Sequence, residues 1–171
     1  MYKPNSIFVE IALKSILSEF NINYRIEHSD TVEELMEKRA CFVTLHKGKE
    51  LRGCIGTMIP YRKNLFEEIK GNAISSAFSD PRFPPLKKDE LEKIQISVDI
   101  LSPLEEVEDI GELDPKKYGI LVSNGRNQGV LLPDLDGVDS VEEQINIAMN
   151  KARIFTRDGL FIKKFTVKRY R

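Results

Sequence analysis

The chain has 171 residues, enough for one domain or a domain with a smaller lobe, and burial at this length offsets folding entropy without disulfides or metals. Lys plus Arg total 26 against 27 Asp plus Glu, a formal net charge of −1 that argues against a protein built to neutralise a phosphate backbone and leaves nucleic acid only a local patch such as the basic C-terminus. The cysteines, Cys41 and Cys54, are too few for a structural zinc site and sit in apolar stretches unlike a secreted scaffold, which points to a reducing, cytoplasmic setting.

The opening MYKPNSIFVEIALKSILSEF carries Glu10, Ser15, Ser18 and Glu19 among its apolar residues, unlike a signal peptide. Val9, Leu13, Ile16, Leu17 and Phe20 recur at spacings of three and four, which predicts an amphipathic helix over about 5–20. After an extended NINYRIEH, Thr31 and Glu34 have capping-box spacing and predict a short helix over TVEELMEKRA. CFVTLH and LRGCIGT, separated by KGKE, read as a hairpin. A second helix follows with Phe66, Ile69, Ala73 and Ala77 on one face, and it must end before Pro81. DPRFPP, with prolines at 81, 84 and 85, is a stiff loop.

In IQISVDIL, Ile94, Ile96, Val98 and Ile100 alternate with mostly polar neighbours, the cleanest strand pattern in the chain. The acidic stretch over about 103–118 reads as a connecting loop between lobes, and GILVSNGRNQGVLLP as two short strands joined by a turn. Ser140 and Glu143 form a capping box ahead of a third helix bearing Val141, Ile145, Ala148, Met149 and Ala152, and LFIKKFTVKRYR closes the chain as one half-buried strand. Local hairpins dominate and no glycine-rich strand-helix-strand unit repeats. The expected class is α+β, a mostly antiparallel sheet flanked by helices with a smaller second lobe, within a single domain over 1–171. No uncharged apolar run approaches the roughly 18 residues of a membrane span.

LRGCIGT departs from its surroundings. Strict alternation puts Arg52 and Cys54 on one face, close enough for the guanidinium to favour a thiolate, and Gly53 and Gly56 are expected to leave room beside the sulfur. The bland alternative is a packed cysteine with glycines that relieve contact with a helix or mark a bulge. A turn centred on Gly48-Lys49 makes Cys41 a diagonal neighbour of Cys54 on the same face, with His46 on the opposite one; a register change of one residue separates the cysteines. In SDPRFPP, Arg82 is a candidate second anion contact with Asp80 orienting it or acting as acid or base, against an Asp-Arg pair that simply braces the loop. Lys163, Lys164, Lys168, Arg169 and Arg171 are split between strand faces and read as solvated charges. His28 lies in an unplaced segment, and nothing in the spacing of His28 and His46 predicts a metal site; no cofactor is predicted.

LRGCIGT, AFSDPRFPPL, ELEKIQISVDILSP and YGILVSNGRNQGVLLP, in that order, resemble the family named for the AMME chromosomal region gene 1 protein, whose prokaryotic members are often labelled AmmeMemoRadiSam system protein A. The resemblance spans about residues 6–170. It implies an α+β fold in two unequal lobes with the arginine-glycine-cysteine-isoleucine-glycine signature at or near a cleft, and it places Arg52, Gly53, Cys54, Ile55 and Gly56 on that signature and Asp80, Pro81, Arg82 and Phe83 on the second motif. It implies no established reaction. By family association it implies a Memo-like protein and a radical S-adenosylmethionine enzyme as partners. The sequence departs from the family pattern at Asp134, where glutamine is common, and at Lys151-Ala152-Arg153, where lysine-alanine-glycine is usual.

Two functions fit these residues. One is cysteine-dependent enzymatic or accessory chemistry on an anionic small molecule or protein, with Cys54 as catalytic candidate and Arg52, Gly53, Gly56, Asp80 and Arg82 as binding candidates. The other is a non-catalytic protein-binding or adaptor module using the same cleft, which the thin supply of histidines favours. No nucleic acid and no membrane are expected as partners.

Overall fold

Ser6 opens the first helix by accepting a hydrogen bond from the Val9 N–H, and α1 runs Ile7–Ser18. The structure, a computed structural model, describes residues 4–27 and 33–171. It divides into two compact units, one reaching to Leu101 and including Lys168–Arg171, the other Ser102–Val167.

In the first unit, β1 (Cys41–Lys47) and β2 (Glu50–Gly56) form the expected hairpin, with Gly48 at φ +63 in the turn. Helix α2 (Leu65–Phe78) is capped by Asn64, which accepts from the Glu67 N–H, and β3 (Ile94–Leu101) follows. The sheet order is β2-β1-β3-β8, where β8 is Val167–Tyr170, and β1 runs antiparallel to both β2 and β3. Cys41, Val43 and Leu45 of β1 and Ile96, Val98 and Ile100 of β3 point into a core shared with α1 and α2. Helix α1 is not amphipathic as the spacing predicts. Nine of its residues are buried, Glu10 and Ser15 among them. Glu10 stays there because it accepts from the Tyr24 hydroxyl at 3.1 Å and the Glu27 N–H at 3.0 Å. The helix predicted over TVEELMEKRA is, within the described residues, a 3-10 turn over Glu33–Met36; Thr31 and His28 lie outside them.

The second unit is an antiparallel sheet of order β4-β7-β5-β6, with β4 Glu105–Glu106, β5 Gly119–Ser123, β6 Gln128–Leu131 and β7 Phe161–Phe165. Helix α3 (Val141–Ala152) carries the predicted Ser140–Glu143 capping box and packs Ile145, Ala148 and Met149 against Ile120, Val122 and Leu131. The C-terminal segment read as one strand is two, β7 and β8, in different sheets. Three of the five basic residues there are in ion pairs, Lys163 with Glu106, Lys164 with Glu112 and Arg169 with Asp99. The two places where the sequence departs from its family pattern, Asp134 and Arg153, both have φ 55, and Arg153 ends α3 in the left-handed conformation. A side chain there is strained. Arg153→Gly is expected to raise unfolding free energy by about 1 kcal/mol, read by urea denaturation; a loss would show that the side chain has a compensating contact.

Candidate functional site

The hairpin contains one irregularity, and it falls inside LRGCIGT. Leu45 pairs with Gly53 and His46 with Leu51, so Arg52 is an extra residue in β2, a β-bulge. Beyond it, Cys54 pairs with Thr44. This one-residue shift reverses three expectations of strict alternation. His46, two residues from Thr44, shares the face of Cys54 instead of opposing it; Cys41 is on the other face, fully buried in the core, so the two cysteines do not form a redox pair; and Arg52 is not the cation beside the thiol.

Arg52 is turned to the 3-10 turn at Lys88–Glu90. Its Nε and Nη2 each donate to a Glu90 oxygen at 2.9 Å, and the residue is 8% exposed. Glu90 also accepts from the Lys87 N–H at 3.0 Å. The hydrogen bonds from Arg52 draw the Glu90 carboxyl down from its ordinary 4.5 to about 2. Arg52 therefore has its carboxylate within the chain, and the expectation that it holds an external anion is corrected.

Cys54 lies on the edge strand, and its outward-facing backbone groups meet the second motif. Its N–H donates to Asp80 Oδ2 at 2.9 Å, and its carbonyl accepts from Arg82 Nη2 at 3.0 Å. Arg82 Nε and Nη2 also donate to Asp80 at 2.9 and 2.7 Å, and the Arg82 N–H to Asp80 at 3.1 Å. The Asp-Arg pair thus stands where a neighbouring strand would. Asp80 is 3% exposed and accepts four donor groups, and the Arg82 guanidinium, ahead of the two backbone N–H groups, holds its carboxyl well below the usual carboxylate range. An acid-base role for Asp80 does not fit that environment. Phe83 connects the two arginines, its ring 6.0 Å from Arg52 Cζ and 5.5 Å from Arg82 Cζ.

The glycines do not leave a gap. A Cβ on Gly53 would overlap the Ser76 carbonyl oxygen, because α2 passes directly against the strand, and a Cβ on Gly56 would overlap the Phe42 ring. Their expected role as ligand space is corrected: a helix backbone and an aromatic ring occupy it.

Helix α2 carries a polar stripe that the apolar pattern over Phe66, Ile69, Ala73 and Ala77 conceals. Glu68, Asn72 and Ser76, with Asp80 just past the helix end, are spaced by four and are all buried. Glu68 accepts from Thr57 Oγ1 at 2.6 Å and the Arg62 N–H at 2.7 Å, and Asn72 Nδ2 donates to the Cys41 carbonyl at 2.9 Å. Ser76 Oγ accepts from the Ile55 N–H at 2.8 Å and donates to the Val43 carbonyl at 2.6 Å, bridging the two strands. The spacing of four is present in the sequence; the partners, 6 to 33 residues away, have no signature there.

What remains around the sulfur is small. Cys54 is half-buried, and Thr44 Oγ1 lies 3.3 Å from Sγ. Arg82 is held charged first by Asp80 and further by Cys54 itself. Its side chain is 54% exposed, and among the described residues its Nη1 makes no hydrogen bond. Cys41, by contrast, has its thiol pushed up to about 12 by burial and is inert at neutral pH. Among the described residues, no group of three or more His, Cys, Asp and Glu side chains is placed to hold a metal, and no helix is long and apolar enough to cross a membrane.

The low values of Glu90 and Asp80 have a direct consequence. Each carboxylate is lowered on folding, so its contribution is complete above its unfolded pKa and is lost as pH falls toward the folded one. Stability in urea is expected to decline from about pH 4.5 down to about 2, with a shallower slope in Glu90→Gln. Equal stability at pH 5 and pH 3 would show that neither pair contributes.

Among the described residues, two antiparallel sheets, three α-helices and a cysteine on a braced edge strand define an α+β protein whose signature segment is held by its own second motif. The AMMECR1 family model matches residues 9–171, and the chain belongs to that family. A protein of Thermotoga maritima is 52% identical over 168 residues, covering 96% of this chain and 97% of that one. Protein CA_C1420 of Clostridium acetobutylicum is 46% identical over 96% of this chain, which spans 36% of that longer protein's length. The crystal structure of the uncharacterized protein PH0010 from Pyrococcus horikoshii superposes with a TM-score of 0.80 at 31% identity, over 95% of this chain and 88% of that one.

Proposed function

We propose that the chain supports cysteine-dependent enzymatic or accessory chemistry on an anionic small molecule or protein, with Cys54 as the reacting group, Thr44 as its hydrogen-bond partner and Arg82 as the contact for the anion. The observation that carries this reading is the position of Cys54 Sγ, half-buried on the face of β2 away from α2, beside Thr44 Oγ1 and next to a guanidinium with an uncommitted Nη1. Asp80 supports the site by fixing the Cys54 backbone and Arg82. Arg52, Gly53 and Gly56 shape the strand. The proposal keeps the cytoplasm as the place of action and, by family association, a Memo-like protein and a radical S-adenosylmethionine enzyme as partners.

Because Cys41 is inert, alkylation of the native protein with iodoacetamide reads Cys54 alone. One adduct on Cys54 within minutes at neutral pH is expected, and no adduct before unfolding would overturn the chemistry. A second reading, a non-catalytic adaptor using the same face, has one observation in its favour: the charged groups at 52, 80 and 90 are bonded to one another or to the backbone. Full partner function in Cys54→Ala would favour the adaptor; its loss in a folded Cys54→Ser would favour the chemistry.

A further inference from the structure

The turn between β5 and β6 holds a reactive pair that the proposed site does not use. Asn124 is the one asparagine of the chain followed by glycine, and both residues are exposed at the tip of the hairpin. Gly125 has φ +84, and a Cβ built on it would meet nothing within 4 Å, so no neighbour crowds the backbone after Asn124. The Asn124 side chain curls over that backbone. Its Oδ1 accepts from the Arg126 N–H at 3.1 Å and from the Asn127 N–H at 2.9 Å, while the Gly125 N–H donates to Ser123 Oγ at 3.1 Å. Two backbone donors on a carbonyl oxygen draw electrons from its carbon, and they stand in place for the oxyanion that forms when that carbon is attacked. The nucleophile within reach is the Gly125 nitrogen, which closes a five-membered ring with Asn124 Cγ.

We infer that Asn124 is a self-modifying site, at which the Gly125 nitrogen displaces the side-chain amide in the folded protein and converts the turn to aspartyl and isoaspartyl forms. Both reactants belong to the chain and only water is consumed, so the step needs no ligand and is independent of Cys54. The Gly125 N–H gives its proton to solvent, its nitrogen bonds to Asn124 Cγ, and Nδ2 takes up a proton and leaves as ammonia. Water then opens the cyclic imide. Breaking the bond from Cγ to nitrogen gives aspartate; breaking the bond from the main-chain carbonyl carbon gives isoaspartate, whose main chain runs through Cβ and Cγ. Aspartate keeps both acceptor contacts and makes them charge-assisted. Isoaspartate lengthens the chain by one carbon and separates the N–H of residue 124 from the Asn127 carbonyl, the 3.3 Å contact that closes the hairpin. Asp136-Gly137 and Asp158-Gly159 are also exposed, with glycine φ values of +78 and +69, but they offer carboxylates, which resist attack by nitrogen.

The test holds the native full-length protein at mildly alkaline pH and samples it over days beside the same protein unfolded in guanidinium chloride. Peptide mapping by mass spectrometry reads each asparagine, and an isoaspartyl methyltransferase with a labelled methyl donor reads the isoaspartate. The native protein is expected to convert at Asn124 roughly tenfold or more faster than at any other asparagine, and at a rate no lower than in the unfolded chain. Asn124→Gln, which cannot close the five-membered ring, is expected to accumulate no isoaspartate at this turn. The isoaspartyl fraction of aged protein, separated by ion exchange, is expected to melt below Asn124→Asp. A native rate below that of the unfolded chain would show that the turn shields the amide, and conversion spread evenly over several asparagines would show that its geometry selects nothing; either overturns the inference. Should Asn124→Gln not fold, the comparison of native with unfolded parent decides alone.

Discussion

Glu90→Ala is expected to destabilise the first unit by about 3–5 kcal/mol, the range for removing one partner of a buried ion pair. Arg52 cannot follow its partner into solvent. It is anchored at the bulge of β2, is 8% exposed, and already carries a buried Nη1 with no hydrogen-bond partner, so the loss of Glu90 would leave the whole guanidinium uncompensated. The Lys87 N–H would lose its acceptor as well. For a chain of this size that corresponds to a drop in Tm on the order of 10 °C. Glu90→Gln, which keeps the single oxygen that can accept from both Lys87 N–H and Arg52 Nη2 but loses the acceptor of Arg52 Nε, is expected to cost less than Glu90→Ala. The double variant Arg52→Met, Glu90→Leu is expected to recover most of the loss, because an apolar pair removes the stranded charge. A Glu90→Ala protein melting within a degree of the parent would show that Arg52 finds another acceptor.

Gly53→Ala is expected to cost about 3 kcal/mol or more although it adds a single methyl group. The added carbon would meet the carbonyl oxygen of Ser76, a backbone atom of α2 that moves only if the helix moves. Shifting α2 would pull Ser76 Oγ from the Ile55 N–H and Asp80 from the Cys54 N–H. The variant should therefore both unfold earlier in urea and label faster at the cysteine, since the strand loses its brace. Gly56→Ala provides the contrast, because its principal obstacle is the Phe42 side chain, which has its own rotamers, although the Cys41 carbonyl is also close. Equal stability of Gly53→Ala and the parent would mean that helix and strand are not in contact at that point.

Much of the fold follows from patterns of two and three to four residues. The hairpin across Gly48-Lys49, the Ser140–Glu143 capping box and the alternation in IQISVDIL depend on contacts within a few positions, and the structure contains all three. The first helix departs from its spacing because a helix packed on several sides buries residues all around, and its two buried polar groups find acceptors or donors that periodicity does not reveal. The candidate site was harder to read for one reason. Every face assignment in LRGCIGT assumed unbroken alternation, and a single extra residue at Arg52 inverted the assignment for everything beyond it. The Asp80–Arg82 brace is legible because its partners stand two positions apart, whereas the Glu90 partner of Arg52 lies 38 positions away and has no local signature.

The side-chain pair lying along β2 has a consequence for the protein in a crowded solution. A strand at the border of a sheet offers free amides and carbonyls to any extended chain, and between Gly53 and Gly56 this one carries no charged side chain to deter pairing. With the Cys54 amide and carbonyl already bonded to Asp80 and Arg82, an intruding strand would have to break two charge-assisted hydrogen bonds before forming its first. The second motif therefore also protects the signature against intermolecular strand pairing, and weakening it should appear as aggregation at concentrations where the parent remains monodisperse.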